Sequence, residues 1–157
     1  MTSIDYTWKQ PRVYAFTSTK EYVDAFPVAY RQWRADSHCN LIHGYAFSMK
    51  FYFGTNDLDV RNWAADYGGL KELKEVLQDQ FDHTLLVAQD DPELETFKLL
   101  QEKKLAKLTI LPRLGCEGLA CLFKFELSNL VLDKNLVNML GFLFVAGGFC
   151  IGIPPAV

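Results

Sequence analysis

Residues 45–55, Tyr-Ala-Phe-Ser-Met-Lys-Phe-Tyr-Phe-Gly-Thr, alternate strictly in character. Tyr45, Phe47, Met49, Phe51 and Phe53 fall on one side of an extended chain; Ala46, Ser48, Lys50 and Tyr52 fall on the other. A period of two held over this length predicts a strand in a sheet with one better-buried face, and the rest of the chain must cover that face. Residues 12–18 (RVYAFTS) are rich in β-branched and aromatic side chains and predict another strand. Residues 25–33 (AFPVAYRQW) predict a second extended piece, with Pro27 marking an edge or a bend. The period then changes. Leu70, Leu73, Leu77 and Phe81 form one helical stripe, with Lys71, Glu72, Lys74, Glu75 and Gln78 outside it. Residues 115–130 predict a further helix with Leu119, Leu122 and Phe123 inward, and a short helix is expected around residues 92–104. Strands followed by helices predict an α+β layer fold, an antiparallel β-sheet with helices on one face.

The 157 residues fit one domain, taken as residues 1–157. A net charge of −3, with no Lys/Arg run, argues against a sequence-independent nucleic-acid binder. The N-terminal residues lack the basic and apolar regions of a secretory signal, and no two of the four cysteines form a C-x-x-C pair. The expectation is a cytoplasmic protein with free thiols. Cys116, Cys121 and Cys150 read as small buried hydrophobes.

The stretch 135–157 is atypical, an apolar tail without a charged residue. Residues 139–157 are long enough to cross a bilayer at about 20 residues per span. However, Gly141, Gly147, Gly148 and Gly152 interrupt them, Pro154 and Pro155 close them, and no basic cluster follows, so a membrane partner is not expected. Three readings compete: a buried strand pair joined at Gly147-Gly148, a tail packed on a partner subunit, or a terminus altered relative to relatives.

The histidines are His38, His43 and His83. Two flank the first cysteine in Ser37-His38-Cys39-Asn40-Leu41-Ile42-His43-Gly44-Tyr45, and the third follows an acid in Asp82-His83. A thiol needs a nearby base, cation or metal to work as a thiolate at neutral pH. An imidazole works best when a carboxylate fixes its tautomer. These are the parts of a Cys/His/Asp constellation. The structural alternative is a surface histidine, a buried cysteine and a capping aspartate.

Cys39-x-x-x-His43-Gly44 resembles the C-x-x-x-H-G-H motif of the 6-pyruvoyl-tetrahydropterin synthase and 6-carboxytetrahydropterin synthase family. In the same order, Asp66-Tyr67-Gly68-Gly69-Leu70-Lys71 is similar to its D-F-x-x-L-K. Asp82-His83-x-x-Leu86 is similar to its D-H-x-x-L, and Gly115-Cys116-Glu117-x-x-Ala120 to its P-T-x-E-x-x-A. Residues 26–31 (FPVAYR) stand where the family has F-x-A-A-H-R, and the resemblance covers roughly residues 12–125.

The resemblance implies the tunnelling fold, an antiparallel sheet with two helices on one face. Its subunits join edge to edge into barrels, commonly hexamers. It implies a lyase acting on 7,8-dihydroneopterin triphosphate, a pterin triphosphate; the 6-carboxy enzymes belong to queuosine biosynthesis. Carried over, Cys39 is the general acid/base, and Asp82 orients His83 as its partner. Glu117 accepts hydrogen bonds from the pterin edge, with a Glu in a first helical turn as the bland alternative. Arg31 is the expected triphosphate cation, and Tyr45 is expected against the substrate.

Two departures stand out. The family holds zinc with three histidines; here only His43 remains, with Tyr45 and Tyr30 at the other two places. The metal is then absent, or held by His43 with His38 recruited, or replaced by the phenols as hydrogen-bond donors. Tyr30 and Tyr45 also read as an aromatic pair on the buried sheet face. The second departure is the family's second pterin-binding Glu, on its last strand; no acid follows Asp133. The sequence therefore carries three functional readings. The first is a 6-carboxytetrahydropterin-type lyase. The second is a pterin-binding member with a different reaction, and the third a catalytically defective homologue with an altered C-terminus.

Overall fold

The computed structural model describes residues 14–120, 122, 138–146 and 149–152, and for 24, 25, 138–146 and 149–152 it describes the backbone. In chain order, the strands and helices are β1 (Phe16–Tyr30), β2 (His43–Thr55), α1 (Lys71–Phe81), β3 (Thr84–Ala88), α2 (Leu94–Glu102), β4 (Leu108–Leu111), α3 (described at 116–120 and 122), β5 (Asn138–Ala146) and β6 (Phe149–Gly152). One-turn 3-10 helices at His38–Asn40 and Tyr67–Leu70 precede β2 and α1. The six strands form one sheet in the order β4-β3-β1-β2-β5-β6.

The alternating segment is the centre of this sheet. Phe47, Met49, Phe51 and Phe53 are each 0% exposed. β1 pairs antiparallel with β2, and places Phe26, Val28 and Tyr30 in the same core cluster. α1 closes that face with Leu73, Leu77 and Phe81, and α3 adds Leu119 and Ala120. The predicted stripe and the predicted placement of two helices against one sheet face therefore match the packing. Tyr67–Leu70 starts the helix because the Asp66 carboxylate accepts from the Gly68 N–H at 2.9 Å, satisfying one of the donors orphaned at a helix start.

Three expectations change. The two pieces expected at 12–18 and 25–33 each overlap one strand, β1, which runs from Phe16 to Tyr30. Its register shifts between Tyr22 and Phe26, where four residue steps of β1 face two of β2 (Met49 to Phe47). This bulge explains the apparent break in pattern, and Pro27 lies just beyond it. Pairing of β1 with β3 begins at Val28, so Pro27, which has no N–H to give, precedes that ladder. Second, the sheet is mixed rather than antiparallel, since β3 runs parallel to both β1 and β4. Strands of five and four residues are too short to show a period. Third, part of the apolar tail is β structure. β5 pairs with β2 and β6 returns along β5, as a strand pair flanking 147–148 would. Among the described residues, no helix is long and apolar enough to cross a membrane. The remainder of the helix expected over 115–130 lies outside the described residues, as do Cys121 and Phe123.

Leu77 has no solvent exposure at the sheet–helix contact. Leu77→Ala should cost about 3 kcal/mol, the transfer term plus a residual cavity. Lys74→Ala on the exposed face should stay within about 0.5 kcal/mol. Chemical denaturation of both variants checks the packing: similar values for the two would mean that α1 does not close this core.

Candidate active site

The candidate site is built where β1 ends and β2 begins. Tyr30 is register partner of His43, and Val28 of Tyr45, so the side chains of Tyr30, His43 and Tyr45 belong to one end of the same sheet face. Tyr30 and Tyr45 stack, with ring centroids 4.6 Å apart and planes at 26°. This is the aromatic pair expected from the sequence. The His43 ring is 6.4 Å from that of Tyr45, and the His38 ring is 5.8 Å from that of His43, edge-on.

The connection between the strands carries Cys39 and is held by backbone bonds. The Gln32 N–H donates to the Cys39 carbonyl at 2.8 Å, and the Cys39 N–H donates to Ser37 Oγ at 3.3 Å. Cys39 is thereby half-buried beside the end of β1, close enough to bear electrostatically on Tyr30, as Cys116 of α3 also does. Burial, reinforced by these neighbours and a hydrogen bond with Tyr45, raises the Tyr30 pKa far above its ordinary value, so the phenol keeps its proton. Burial also pushes the Cys116 thiol up, and Glu117 adds to that shift, which makes Cys116 a poor thiolate. Glu117 follows it, exposed, in the first turn of α3. Gly115 (φ +92°) lets that turn approach the Gln32 amide: a Cβ here would lie 2.4 Å from Gln32 Nε2.

Arg31 has another occupation than the one expected. Its Nε donates to Asp91 Oδ2 at 2.8 Å and its NH2 to Oδ1 at 2.5 Å. Asp91 is 4% exposed and also accepts from the Glu93 N–H at the start of α2. The Arg31 side chain lies over the Phe97 ring, and its NH1 lies 3.5 Å from the Asn40 carbonyl. Arg31 is therefore a brace between β1, α2 and the Cys39 turn. Its fork is filled by a carboxylate rather than presented to a phosphate.

The Asp82–His83 couple forms as expected. His83 Nδ1 lies 2.8 Å from Asp82 Oδ1, an arrangement that puts the proton on Nδ1 and leaves Nε2 as the exchanging nitrogen. Asp82 ends α1, and His83 takes a left-handed conformation (φ +54°) to turn into β3. The imidazole is largely exposed. Thr84 pairs with Val28, so His83 sits level with Pro27, roughly 10–15 Å along β1 from the turn that holds Cys39. Among the described residues, no hydrogen bond joins the couple to Cys39.

For zinc, the donor set does not fit. His43 Nδ1 lies 2.7 Å from the Leu41 carbonyl and must donate to it, leaving Nε2 as one ligand. His38 offers a second imidazole. The remaining places hold a stacked pair of phenols, one kept protonated by burial, whereas zinc prefers thiolate, imidazole and carboxylate. No group of three His, Cys, Asp or Glu able to hold a metal occurs among the described residues. A wide cleft of about 750 Å3 at the other end of β1, lined by Phe16, Trp63, Asp66 and Tyr67, holds no thiol or imidazole. Two of its polar groups are engaged: the Tyr67 hydroxyl donates to the Thr19 carbonyl, and Asp66 pairs with Arg61. Volume alone does not make it the reactive site.

The sequence profile of the 6-pyruvoyl tetrahydropterin synthase family matches residues 19–139. The chain belongs to that family. Within it, a 6-carboxy-5,6,7,8-tetrahydropterin synthase of Rickettsia conorii is 29% identical over 70 residues, 44% of this chain and 51% of that protein. The synthase of the same name from Rickettsia felis is 30% identical over 57 residues, 36% of this chain and 41% of that protein. The matched stretch thus spans about half the length of these relatives or less. Among solved structures, an uncharacterized protein of Wolinella succinogenes superposes with a TM-score of 0.68 at 14% identity, covering 87% of this chain and 96% of that one. A Plasmodium vivax 6-pyruvoyltetrahydropterin synthase gives 0.56 at 11% identity, covering 88% and 97%. These two share the fold of this family member.

Gln32, Asp91 and Cys116 were not singled out by the sequence as parts of the site. Only a backbone bond, a salt bridge and a helix start bring them to it. Asp91 is held below its ordinary value, first by its Arg31 hydrogen bonds and despite its burial. Its contribution to stability is therefore present above about pH 4 and is lost as pH falls through the lower folded value. Arg31→Met should cost about 3 kcal/mol at pH 7 by stranding a buried carboxylate. Denaturation at pH 7 and pH 3 should show that penalty shrinking in acid. A penalty independent of pH would mean that Arg31 acts through packing alone.

Proposed function

We propose that this chain is a 6-carboxytetrahydropterin-type lyase acting on 7,8-dihydroneopterin triphosphate. It would consume one water and release 6-carboxytetrahydropterin, acetaldehyde and triphosphate. The supporting observation is the convergence of Cys39, Tyr30, Tyr45 and the Cys116-Glu117 helix start at one end of β1, in a family whose relatives above carry that name. Cys39, half-buried and fixed by its turn, is the general acid/base on the side-chain carbons of the pterin. The exposed Glu117 carboxylate accepts two parallel N–H bonds from the amidine-like edge of the ring. The triphosphate contact is not given to Arg31, whose fork is filled.

The Asp82–His83 couple is separated from Cys39 within one chain, yet its imidazole is exposed. The reading therefore assigns the couple that works with Cys39 to a neighbouring copy. Among the described residues the sheet ends in two edge strands, β4 and β6, with no further strand beyond them, and edge-to-edge closure into a barrel would pair their outer backbone groups.

One observation favours a second reading, in which the pterin binds but reacts differently. The stretch 138–152, which forms β5 and β6, contains no acid, so the ring would be gripped by one carboxylate rather than two. Incubation with the pterin triphosphate, with acetaldehyde trapped and the pterin product weighed by mass spectrometry, separates the two.

Cys39→Ala and His83→Ala should each fold and lose at least about 100-fold in turnover, the scale of a missing acid/base. Refolding the two variants together should restore part of the activity, because some assembled sites would contain both an intact thiol and an intact couple. Full activity in Cys39→Ala would refute its role. Absence of recovery in the mixture would refute the shared site.

A further inference from the structure

The two tyrosines of the site stack on one another and are unequally buried. Tyr30 is 6% exposed and lies inside the core cluster; Tyr45 packs against that cluster but is only partly buried. Two phenols carry two O–H groups. The buried Tyr30 hydroxyl faces the core, and the Tyr45 O–H, on the less buried ring, is left to donate outward, beside the His43 ring 6.4 Å away. The stack fixes both rings, so the donor is aimed before any ligand arrives.

We infer that this stacked phenol pair, with Tyr45 as the outward donor, is the electrophilic element of the site, and that the site works without a metal ion. The inference rests on the lyase reading for its substrate. In that reading, oxygen on the pterin side chain gains negative charge as protons leave the adjacent carbons. A preorganised O–H in a partly desolvated site stabilises such charge. The donor set leads to the same conclusion independently, because two imidazoles and two phenols do not make an ordinary zinc site. Tyr30 acts through Tyr45, as a positioning residue. Its loss should unlock the Tyr45 ring, which the stack now holds.

The test has one arm that does not depend on turnover. Purified protein, and protein exposed to excess zinc and then desalted, should retain far less than one zinc per chain by elemental analysis. The double variant Tyr30→His with Tyr45→His puts imidazoles beside His43 and should gain a stoichiometric zinc. Retention of one zinc per chain by the unaltered protein would overturn the inference. In the activity arm, a chelator should leave turnover unchanged. Tyr45→Phe should lower kcat on the order of 100-fold with little change in KM, as loss of one oxyanion donor does. Tyr30→Phe should lower kcat less and broaden the response. Unchanged kcat in Tyr45→Phe, or chelator inactivation reversed by zinc, would also overturn it. If the protein turns over no pterin triphosphate at all, the lyase reading fails, and the zinc measurements still decide the metal-free site.

Discussion

The pairing of β1 with β2 is the constraint on which the rest of the structure depends. Fifteen residues of β1 lie along thirteen of β2, and the side facing α1 and α3 is filled with Phe26, Val28, Phe47, Met49, Phe51 and Phe53. Side chains alternate with a period of two, so the burial of these rings also fixes which way Tyr30 and Tyr45 point. A slip of β1 by one residue against β2 would turn Tyr30, with Phe26 and Val28, to the face opposite Tyr45. The Tyr30–Tyr45 end of the sheet is therefore positioned by the same force that folds it. The bulge between Tyr22 and Phe26 absorbs two extra residues without disturbing the register at the Tyr30 end.

On that frame, the site is kept in place by polar contacts of unequal cost. The Arg31–Asp91 pair is bidentate and its carboxylate is buried, so breaking it leaves a charge stranded beneath the Cys39 turn. The Arg34–Asp90 and Lys71–Glu75 pairs are exposed and contribute little. The Asp82–His83 couple gains little stability from its exposed position. The left-handed turn at His83 leaves its imidazole facing outward. The fold thus holds the thiol and the phenols rigid and leaves the Asp82–His83 imidazole exposed.

Much of this was legible in the sequence. The alternation at 45–55 and the Leu70–Phe81 stripe were readable because each repeats its period several times. The Asp82–His83 bond was readable because its members are adjacent, and the Tyr30–Tyr45 stack because their family places coincide. What escaped depends on partners distant in sequence. β3 and β4 are too short to carry a pattern, so their parallel pairing was not visible. Arg31 looked like a phosphate fork because nothing in the sequence says that Asp91, sixty residues on, folds under it. Cys116 looked like a filler residue until α3 placed it near Tyr30. The separation of His83 from Cys39 follows from the Val28–Thr84 register, which only the folded sheet defines.

The central claim is that a reduced pterin occupies the space beside Cys39, Tyr45 and Glu117. Thiol footprinting tests it most directly: the protein is alkylated with iodoacetamide with and without a saturating dihydropterin, and each cysteine is followed by mass spectrometry. The account predicts that ligand slows labelling of Cys39 severalfold, and that Glu117→Gln abolishes this protection. Equal labelling of Cys39 in both conditions, with ligand shown to be bound, would contradict it.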